Sequence, residues 1–487
     1  MYVKQNKDTF IRIYDGQGYI ISQLTYFDRL YNETGADFLA KLSREPQKID
    51  DIVRELQILY EGSVELEELH SEFQEFVAEL EEFMFVTTGN SPDEINQKEP
   101  SFTYKFNPKT KLRSFIQNFP EYELENTTDI LLKKSSHKPQ LSCVEFEITA
   151  RCNERCVHCY LPNKRKDNGG DLPLELAFKV MSDAKKLNCL EVSISGGDPL
   201  LHKDLVRILE FARECDFKIT VLSNLVALTD EHIRLFKAYN IGLIQVSLYS
   251  MNADEHDAIT KLKGSFIKTK ANIERLIAND IPVQISCPTM KGNFHAYKDV
   301  LAYAEKMQTK AQTDFVLMAQ SDFNKDNLEN RLTESQTIEL LKDIVRYDRQ
   351  YVDDTLCKPS KSENIDNYLE QPLCGVGLGI ICVGHNGDVY PCSGWQGYVL
   401  GNLNTDSLIE IWQGSEKLQA LRKIKMKDFP ECIGCDARDY CALCLVRNFN
   451  ENEGDMFKVS SSHCNAARLN RQVVEESIRN DPREQIV

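Results

Sequence analysis

EFEITARCNERCVHCY, residues 145 to 160, runs from a short strand, Val144 to Thr149, into a loop that carries three cysteines. Cys152, Cys156 and Cys159 stand in the spacing C-x3-C-x2-C, and Tyr160 follows the last of them. Three thiolates on one loop can hold three irons of a [4Fe–4S] cube and leave the fourth iron open to a small molecule. A structural zinc knuckle is the competing reading. Zinc sites show paired C-x2-C units with a fourth ligand close by, and no further cysteine follows here before Cys189.

Downstream of the loop, apolar runs and helical patterns alternate. Strand-like runs are Val144–Thr149, Leu190–Ile194, Ile219–Leu222, Leu243–Leu248, Val283–Cys287 and Phe315–Met318, with helical segments at 174–187, 203–214, 229–238, 266–279 and 296–307. Six β/α units at this spacing predict an α/β fold with a parallel sheet or partial barrel. Chemistry in such folds gathers at the C-terminal ends of the strands, where the cysteine loop lies. The second strand ends in Ser195-Gly196-Gly197-Asp198-Pro199. Paired glycines let a backbone approach a ligand closely, and the carboxylate beside them can accept from an ammonium.

Together, C-x3-C-x2-C and GGDP resemble the radical S-adenosylmethionine (SAM) superfamily over residues 141 to 320. The resemblance implies a partial (β/α)6 TIM-like barrel. It also implies that SAM chelates the open iron of the cluster on Cys152, Cys156 and Cys159, which reductively cleaves SAM to a 5′-deoxyadenosyl radical. Tyr160, Gly196, Gly197 and Asp198 would lie at the cofactor, as would Ser223 in VLSN and Ser247 in VSLYS. Many members place an arginine after the fourth strand to meet the SAM carboxylate. Here that stretch is His256-Asp257-Ala258-Ile259-Thr260-Lys261, which makes Lys261 the candidate.

A second cysteine set follows a charged, mostly helical connection at 321 to 356. Cys374 precedes Gly387-Asp388-Val389-Tyr390-Pro391-Cys392, and Cys432-x2-Cys435-x5-Cys441-x2-Cys444 and Cys464 come after. Seven cysteines exceed one four-ligand cluster, so two clusters, or a cluster and a zinc, are needed. The pattern resembles the SPASM domain, a C-terminal extension with two auxiliary [4Fe–4S] clusters, here within 357 to 487. By that resemblance Cys374, Cys392 and Cys444 serve the first auxiliary cluster, and Cys432, Cys435, Cys441 and Cys464 the second. Cys357 is the expected fourth ligand of the first; Cys382 or bound substrate are the alternatives. Cys143, Cys189, Cys215 and Cys287 read as small buried hydrophobes.

The N-terminal 90 residues form another unit. Residues 9 to 22 alternate around Asp15-Gly16-Gln17-Gly18, a hairpin signal, and 24 to 31 offer a third strand. Helices are predicted over 36–42, around Ile49 to Leu59 and over 64–80, with a strand at 83–86. This winged-helix-like order, with Tyr31-Asn32-Glu33-Thr34-Gly35-Ala36 turning into a helix, resembles the peptide-recognition domain of ribosomal-peptide modification systems. The resemblance implies that a precursor's leader adds as a strand beside 24–31, in a groove with helix 64–80. Residues 91–140 read as a linker.

With 42% hydrophobic and 27% charged residues the chain is globular, and its length suggests several domains. A net charge of −17 disfavours nucleic acid as a partner, including for a DNA-binding winged helix. Residues 1–100 hold 21 acidic against 9 basic residues, a solvated acidic face or a surface for a basic peptide. No membrane partner, signal peptide or apolar span is expected, so the chain reads as cytoplasmic, and sixteen cysteines there argue for metal binding. The three parts together resemble the maturases that crosslink ribosomally made peptides, fed by an electron donor such as flavodoxin or ferredoxin. A thioether from cysteine sulfur to carbon is the favoured bond, ahead of carbon–carbon or carbon–oxygen crosslinks. A formylglycine-generating sulfatase maturase is a further alternative, but those enzymes carry Asp where Ser393 stands here. A peptide-binding or electron-transfer scaffold is the non-enzymatic alternative, and it would have no use for an open iron.

Overall fold

The computed structural model describes residues 1–24, 27–102, 138–167, 169–347 and 365–479. The N-terminal unit comprises β1 (Tyr2–Gln5), β2 (Thr9–Tyr14), β3 (Gln17–Ser22), β4 (Asp28–Tyr31), α1 (Glu33–Ala40), β5 (Gln47–Lys48), α2 (Ile49–Leu59), α3 (Leu66–Glu82), β6 (Val86–Gly89) and α4 (Pro92–Lys98). Asp15 and Gly16, both at positive φ, close the β2–β3 hairpin on a two-residue turn. Asn32 starts α1 by accepting from the Gly35 backbone N–H. Ile52, Val53 and Leu56 of α2 meet Leu69, Phe73 and Val77 of α3 in one buried core. The order of hairpin and helices follows the expectation. Two strands escaped it: β1, which pairs with both β5 and β6, and β5, which is only two residues long.

The barrel follows as β7 (Cys143–Thr149), α5 (Asn163–Asp167), α6 (Leu174–Lys186), β8 (Glu191–Gly196), α7 (Leu205–Glu214), β9 (Lys218–Ser223), α8 (Asp230–Ala238), β10 (Leu243–Ser247), α9 (Ala253–Thr260), α10 (Ser265–Ala278), β11 (Val283–Ser286), α11 (Tyr297–Lys306) and β12 (Lys310–Gln312). All six strands are parallel and pair in sequence order. Val144, Phe146, Ile148, Val192, Ile194, Ile219, Val221, Ile244 and Val246 bury one face in the main core. Strand alternation turns Glu145, Glu147, Ser193, Ser195, Thr220 and Ser247 to the other, polar face. The sixth strand is β12, not the expected Phe315–Met318. That apolar run packs instead: Phe315 against Leu341, Leu469 and Val473, and Leu317 beside Tyr249 and Met290.

The C-terminal region holds α12 (Glu334–Tyr347), α13 (Ile365–Glu370), β13 (Ile380–Val383), β14 (Asp388–Tyr390), β15 (Gly401–Asn402), α14 (Leu408–Gly414), α15 (Glu416–Arg422), α16 (Pro430–Ile433), α17 (Leu445–Glu451) and α18 (Ser461–Arg479). Strand β13 pairs in parallel with β7, and β14 and β15 follow antiparallel, so the cysteine-rich region extends the barrel sheet to nine strands. Among the described residues no helix is long and apolar enough to cross a membrane.

The N-terminal unit sits on the loops that precede β8, β9 and β10. Arg12 donates to the Cys189 carbonyl (2.9 Å) and the Asp216 carbonyl (2.6 Å), and Arg44 Nη2 donates to the Asp216 carboxylate at 2.7 Å. Asn240 Nδ2 donates to Asp8 at 2.6 Å, and both Arg44 and Arg213 lie over the Phe10 ring. The unit therefore covers the N-terminal ends of the strands, opposite the cysteine loop. Asp216 is 37% exposed, so its loss is moderated by solvent screening. Asp216→Ala is expected to loosen this contact by about 1–2 kcal/mol. Hydrogen exchange would show β2 and β3 losing protection while β7 to β10 keep theirs.

Candidate functional site

At the C-terminal end of β7, Thr149 Oγ1 donates to Asp171 at 2.7 Å and accepts from the Arg151 N–H, which aims the chain into the cysteine loop. The loop is pinned to the end of α9: Arg155 N–H donates to the Thr260 carbonyl at 2.9 Å and Val157 N–H to the Ile259 carbonyl at 3.0 Å. Cys156 and Val157 pack against Tyr249, Ile259 and Met290. Among the described residues, three donors approach the sulfurs. Glu154 N–H lies 3.4 Å and Asn224 Nδ2 3.9 Å from Cys152 Sγ, and the Tyr249 hydroxyl lies 4.0 Å from Cys156 Sγ. Hydrogen bonds to sulfur are one of the levers by which a protein sets the potential of an iron–sulfur cluster.

The loop fits a metal cluster electrostatically. Burial pushes the Cys152 thiol up to about 12 and the Cys156 thiol well above its ordinary value. Thiols in such surroundings ionise when a metal cation compensates the charge. Glu154, 2% exposed, is raised to about 7 by burial. Lys166 of α5 is 5% exposed; burial lowers its ammonium, but the negative charges of Cys159, Cys152 and Cys156 outweigh that and raise it above its ordinary value. Among the described residues no three His, Cys, Asp or Glu side chains converge to hold a single ion. A cube of four irons spreads its thiolates one to each iron.

The GGDP turn is fitted against the root of this loop. Gly196 has φ +145°, and a Cβ there would lie 2.3 Å from the Thr149 carbonyl oxygen; at Gly197 it would lie 2.1 Å from that of Arg151. Gly197 N–H donates to the Thr149 carbonyl at 2.7 Å and Asp198 N–H to the Arg151 carbonyl at 2.8 Å. Asp198 is fully buried, and its carboxylate accepts from Leu200 N–H, Ser223 Oγ and Asn224 N–H at 2.9–3.0 Å. It braces the ends of β8 and β9. Ser223 faces Asp198, whereas Ser247 ends β10, half-buried beside Tyr249. Tyr160 is half-buried, its hydroxyl environment shaped by Glu147, Cys159 and Cys382. Lys261 is exposed at the left-handed end of α9.

Burial raises the Cys374 and Cys392 thiols, and each lies within electrostatic range of the other and of Cys444. Cys432, Cys435, Cys441 and Cys464 line one cavity of about 520 Å³ with Tyr368 and Arg438. Cys357 lies outside the described residues. Cys382 is fully buried in β13, in register with Glu145. Glu145 accepts from the Ser393 N–H at 3.1 Å, and Glu147 from Gln396 Nε2 at 2.7 and 2.8 Å, which ties the segment after Cys392 to β7. Cys189, Cys215 and Cys287 lie in the main core. Sequence reasoning missed Asn224, Tyr249, Lys166, Glu145 and Glu147. The first two adjoin residues it named, and the alternation of 144–149 placed both glutamates on one face.

A model of the radical SAM superfamily matches residues 146–304, and one of SPASM, an iron–sulfur cluster-binding domain, matches residues 374–436. The chain carries a radical SAM domain and a SPASM domain. It is a radical SAM enzyme whose cofactors are SAM, the [4Fe–4S] cluster that binds it and the auxiliary clusters of the SPASM domain. The chain is similar to the AdoMet-dependent heme synthase of Methanosarcina barkeri, at 24% identity over 63% of this chain and 91% of that protein. It is similar to the antilisterial bacteriocin subtilosin biosynthesis protein AlbA of Bacillus subtilis, at 26% identity over 70% of this chain and 76% of AlbA. In fold it resembles Streptococcus suis SuiB, solved bound to its precursor peptide SuiA, with a TM-score of 0.59. That match covers 95% of this chain and 99% of SuiB at 15% identity.

Proposed function

We propose that the radical SAM enzyme is a peptide maturase: it binds the leader of a ribosomally made precursor and forms an intramolecular crosslink, a thioether from cysteine sulfur to carbon. The observation that carries this reading is β4. It is an edge strand of the β2–β3–β4 sheet, and it stands beside α3, where Tyr31 packs on Phe76 (4.9 Å between ring centroids) and donates to Glu79 at 2.8 Å. An open strand beside a helix accepts an extended peptide by backbone pairing. AlbA, named for bacteriocin biosynthesis, and SuiB, solved with a precursor peptide, support a peptide substrate. The heme synthase relative supports the rival reading, a small-molecule substrate.

In this proposal residues 1–90 hold the leader, the barrel of 141–320 holds SAM and the core peptide, and 357–487 hold the auxiliary clusters. Cys152, Cys156 and Cys159 carry the SAM-binding cluster. Tyr160, Gly196, Gly197, Asp198, Ser223 and Ser247 shape the SAM site, Asp198 by bracing its backbone. Cys374, Cys392 and Cys444, with Cys357, carry the first auxiliary cluster, and Cys432, Cys435, Cys441 and Cys464 the second. When bound, the cluster and SAM supply a 5′-deoxyadenosyl radical that removes a hydrogen atom from the peptide. The protein's own part is to pin the cysteine loop to α9, fit GGDP against the loop's root, and tether the peptide so that it reacts at high local concentration. An electron donor of the flavodoxin or ferredoxin kind would feed the SAM-binding cluster; closing the thioether would release the thiol proton and one electron, which would leave through the auxiliary clusters.

The test needs a precursor peptide, to be sought as a short cysteine-containing reading frame next to the gene. Removing residues 1–90 is expected to weaken its binding at least tenfold, with SAM cleavage in the absence of peptide as the control that the barrel persists. Unchanged affinity would remove the tether. After turnover by the full chain, the product should have lost two hydrogens and one alkylatable thiol; an intact thiol would turn the reading to a carbon–carbon or carbon–oxygen bond.

A further inference from the structure

The second half of the cysteine loop is bound by a segment that follows the barrel, residues 320–331. Cys156 to Cys159 is a tight turn, closed by the Cys159 N–H on the Cys156 carbonyl at 3.1 Å. Its carbonyls are taken up one after another. Asn330 Nδ2 donates to the Val157 carbonyl and Asn327 Nδ2 to the His158 carbonyl, both at 3.2 Å. Gln320 Nε2 reaches the Cys159 carbonyl at 3.5 Å, and the Ser321 N–H donates to the Tyr160 carbonyl at 3.0 Å. Four successive carbonyls thus accept from one segment. Buried carbonyls need partners, and these partners fix the peptide units that separate the Cys156 and Cys159 sulfurs. Asn327 is 3% exposed and also donates to the Met318 carbonyl at 2.8 Å.

The segment is in turn seated on α17, which starts directly after Cys444. Arg331 Nε and Nη2 donate to the Leu317 carbonyl at 3.1 and 2.6 Å, and the guanidinium pairs with Glu451 of α17. Glu451 also accepts from Ser460 Oγ at 2.7 Å and Ser462 Oγ at 3.1 Å. Asn450, fully buried, donates to the Ala319 carbonyl at 3.2 Å and the Gly394 carbonyl at 3.1 Å. Phe449 packs on Phe323, with 5.6 Å between ring centroids.

We propose that Asn327 and Asn330 are positioning residues of the SAM-binding loop. By holding the His158 and Val157 carbonyls they keep the Cys156–Cys159 turn in the shape that binds SAM, and Arg331 with Glu451 keeps both asparagines in place. They act on the backbone of the turn and take no part in bond making. The end of α9 takes one N–H of the turn, that of Val157, at 3.0 Å from the Ile259 carbonyl, and the asparagines take the next two carbonyls. With those carbonyls released, the peptide units between the two cysteines are free to rotate. Partners that orient the ligands of a metal centre are worth 10–100-fold in affinity or activity. The proposal rests on the reading that Cys152, Cys156 and Cys159 ligate the SAM-binding cluster, and the two fail differently. Cys156→Ala tests the ligands by the loss of the cluster signal, whereas the asparagine variants keep that signal and change its response to SAM.

The experiment is a SAM titration of the reconstituted full chain on Asn327→Ala, Asn330→Ala, their combination and Glu451→Gln. It is read by equilibrium dialysis and by the change that SAM makes in the electron paramagnetic resonance spectrum of the reduced cluster. The double variant is expected to keep its irons and its SAM-free spectrum, and to need about tenfold more SAM in both readouts. Asn330→Ala, at a partly exposed residue, is the milder change and should need about threefold more. Glu451→Gln should weaken binding about threefold in the parent chain and no further in the double variant, because its effect passes through the asparagines. SAM binding within about twofold of the parent in the double variant would overturn the proposal. So would loss of about four irons, because the asparagines would then hold the cluster itself and not the shape of the turn. Should the double variant fail to fold, Asn330→Ala decides by the same two criteria. Equal losses from Glu451→Gln in both backgrounds would overturn the anchoring role of Arg331 and Glu451.

Discussion

Cys156→Ala is expected to lower SAM-dependent 5′-deoxyadenosine formation at least ~10³-fold, a barrier change of about 4 kcal/mol or more. Cys156 is packed with Tyr249, Ile259 and Met290 and faces the Tyr249 hydroxyl. Changes to residues that merely orient a metal ligand already cost 10–100-fold, and loss of one thiolate out of three leaves two irons without a protein ligand. The fold should survive, because backbone bonds from Arg155 and Val157 to the end of α9 hold the loop independently of the sulfur. Reconstituted parent chain should hold about twelve irons and the variant about eight. A parent value near four would leave no room for auxiliary clusters. Cleavage by Cys156→Ala at the parent rate would place the radical site elsewhere.

The parts of this molecule legible in the sequence are those where side-chain type and spacing alone state the physics. Alternation around β7 to β11, the Asp15-Gly16 turn and the helical spacing of Ile52, Val53 and Leu56 are local patterns, and each reappears as an element. The strands that were missed owe their pairing to distant partners. Tyr2–Gln5 is a strand because Val86–Gly89 returns beside it, and Ile380–Val383 because it finds the free side of β7. The sixth barrel strand went to Lys310–Gln312, a polar triplet no apolar pattern selects, while Phe315–Met318 spent its apolar side chains on packing against α12, α18 and the cysteine loop.

The site divides in the same way. The cysteines announce themselves by spacing, but nothing local says that Asn224 and Tyr249 approach their sulfurs. GGDP was legible as a motif and less so as a mechanism. Its aspartate looks from the sequence like a hand held out to an ammonium. In the structure the carboxylate is occupied by Ser223, Asn224 and Leu200, and its work is to lock the ends of two strands. The glycines bring the strand end close to the loop, and that closeness is the measurable property.

Gly197→Ala should therefore be a strongly damaging small substitution at the barrel mouth. The added Cβ would lie 2.1 Å from the Arg151 carbonyl oxygen, 2.5 Å from its carbon and 2.7 Å from the Ala150 oxygen. All three are backbone atoms, so no side chain can swing aside. Relief requires the end of β8 to retreat from the root of the cysteine loop by about 1 Å, since real Cβ contacts stay beyond about 3 Å. That movement stretches the bonds from Gly197 N–H to Thr149 and from Asp198 N–H to Arg151. Overpacking of this kind costs about 1–3 kcal/mol and each of the two weakened buried bonds about 1 kcal/mol, for a total of about 3–5 kcal/mol. Calorimetry should show a lower melting temperature, and equilibrium dialysis at least a tenfold weaker hold on SAM. Gly170→Ala is the control: its carbonyl also accepts from this loop, at Ala150 N–H, yet nothing lies within 4 Å of its Cβ position. If Gly197→Ala bound SAM as tightly as Gly170→Ala, the close approach of β8 to the loop would not be what shapes the SAM site, and the paired glycines would serve the fold alone.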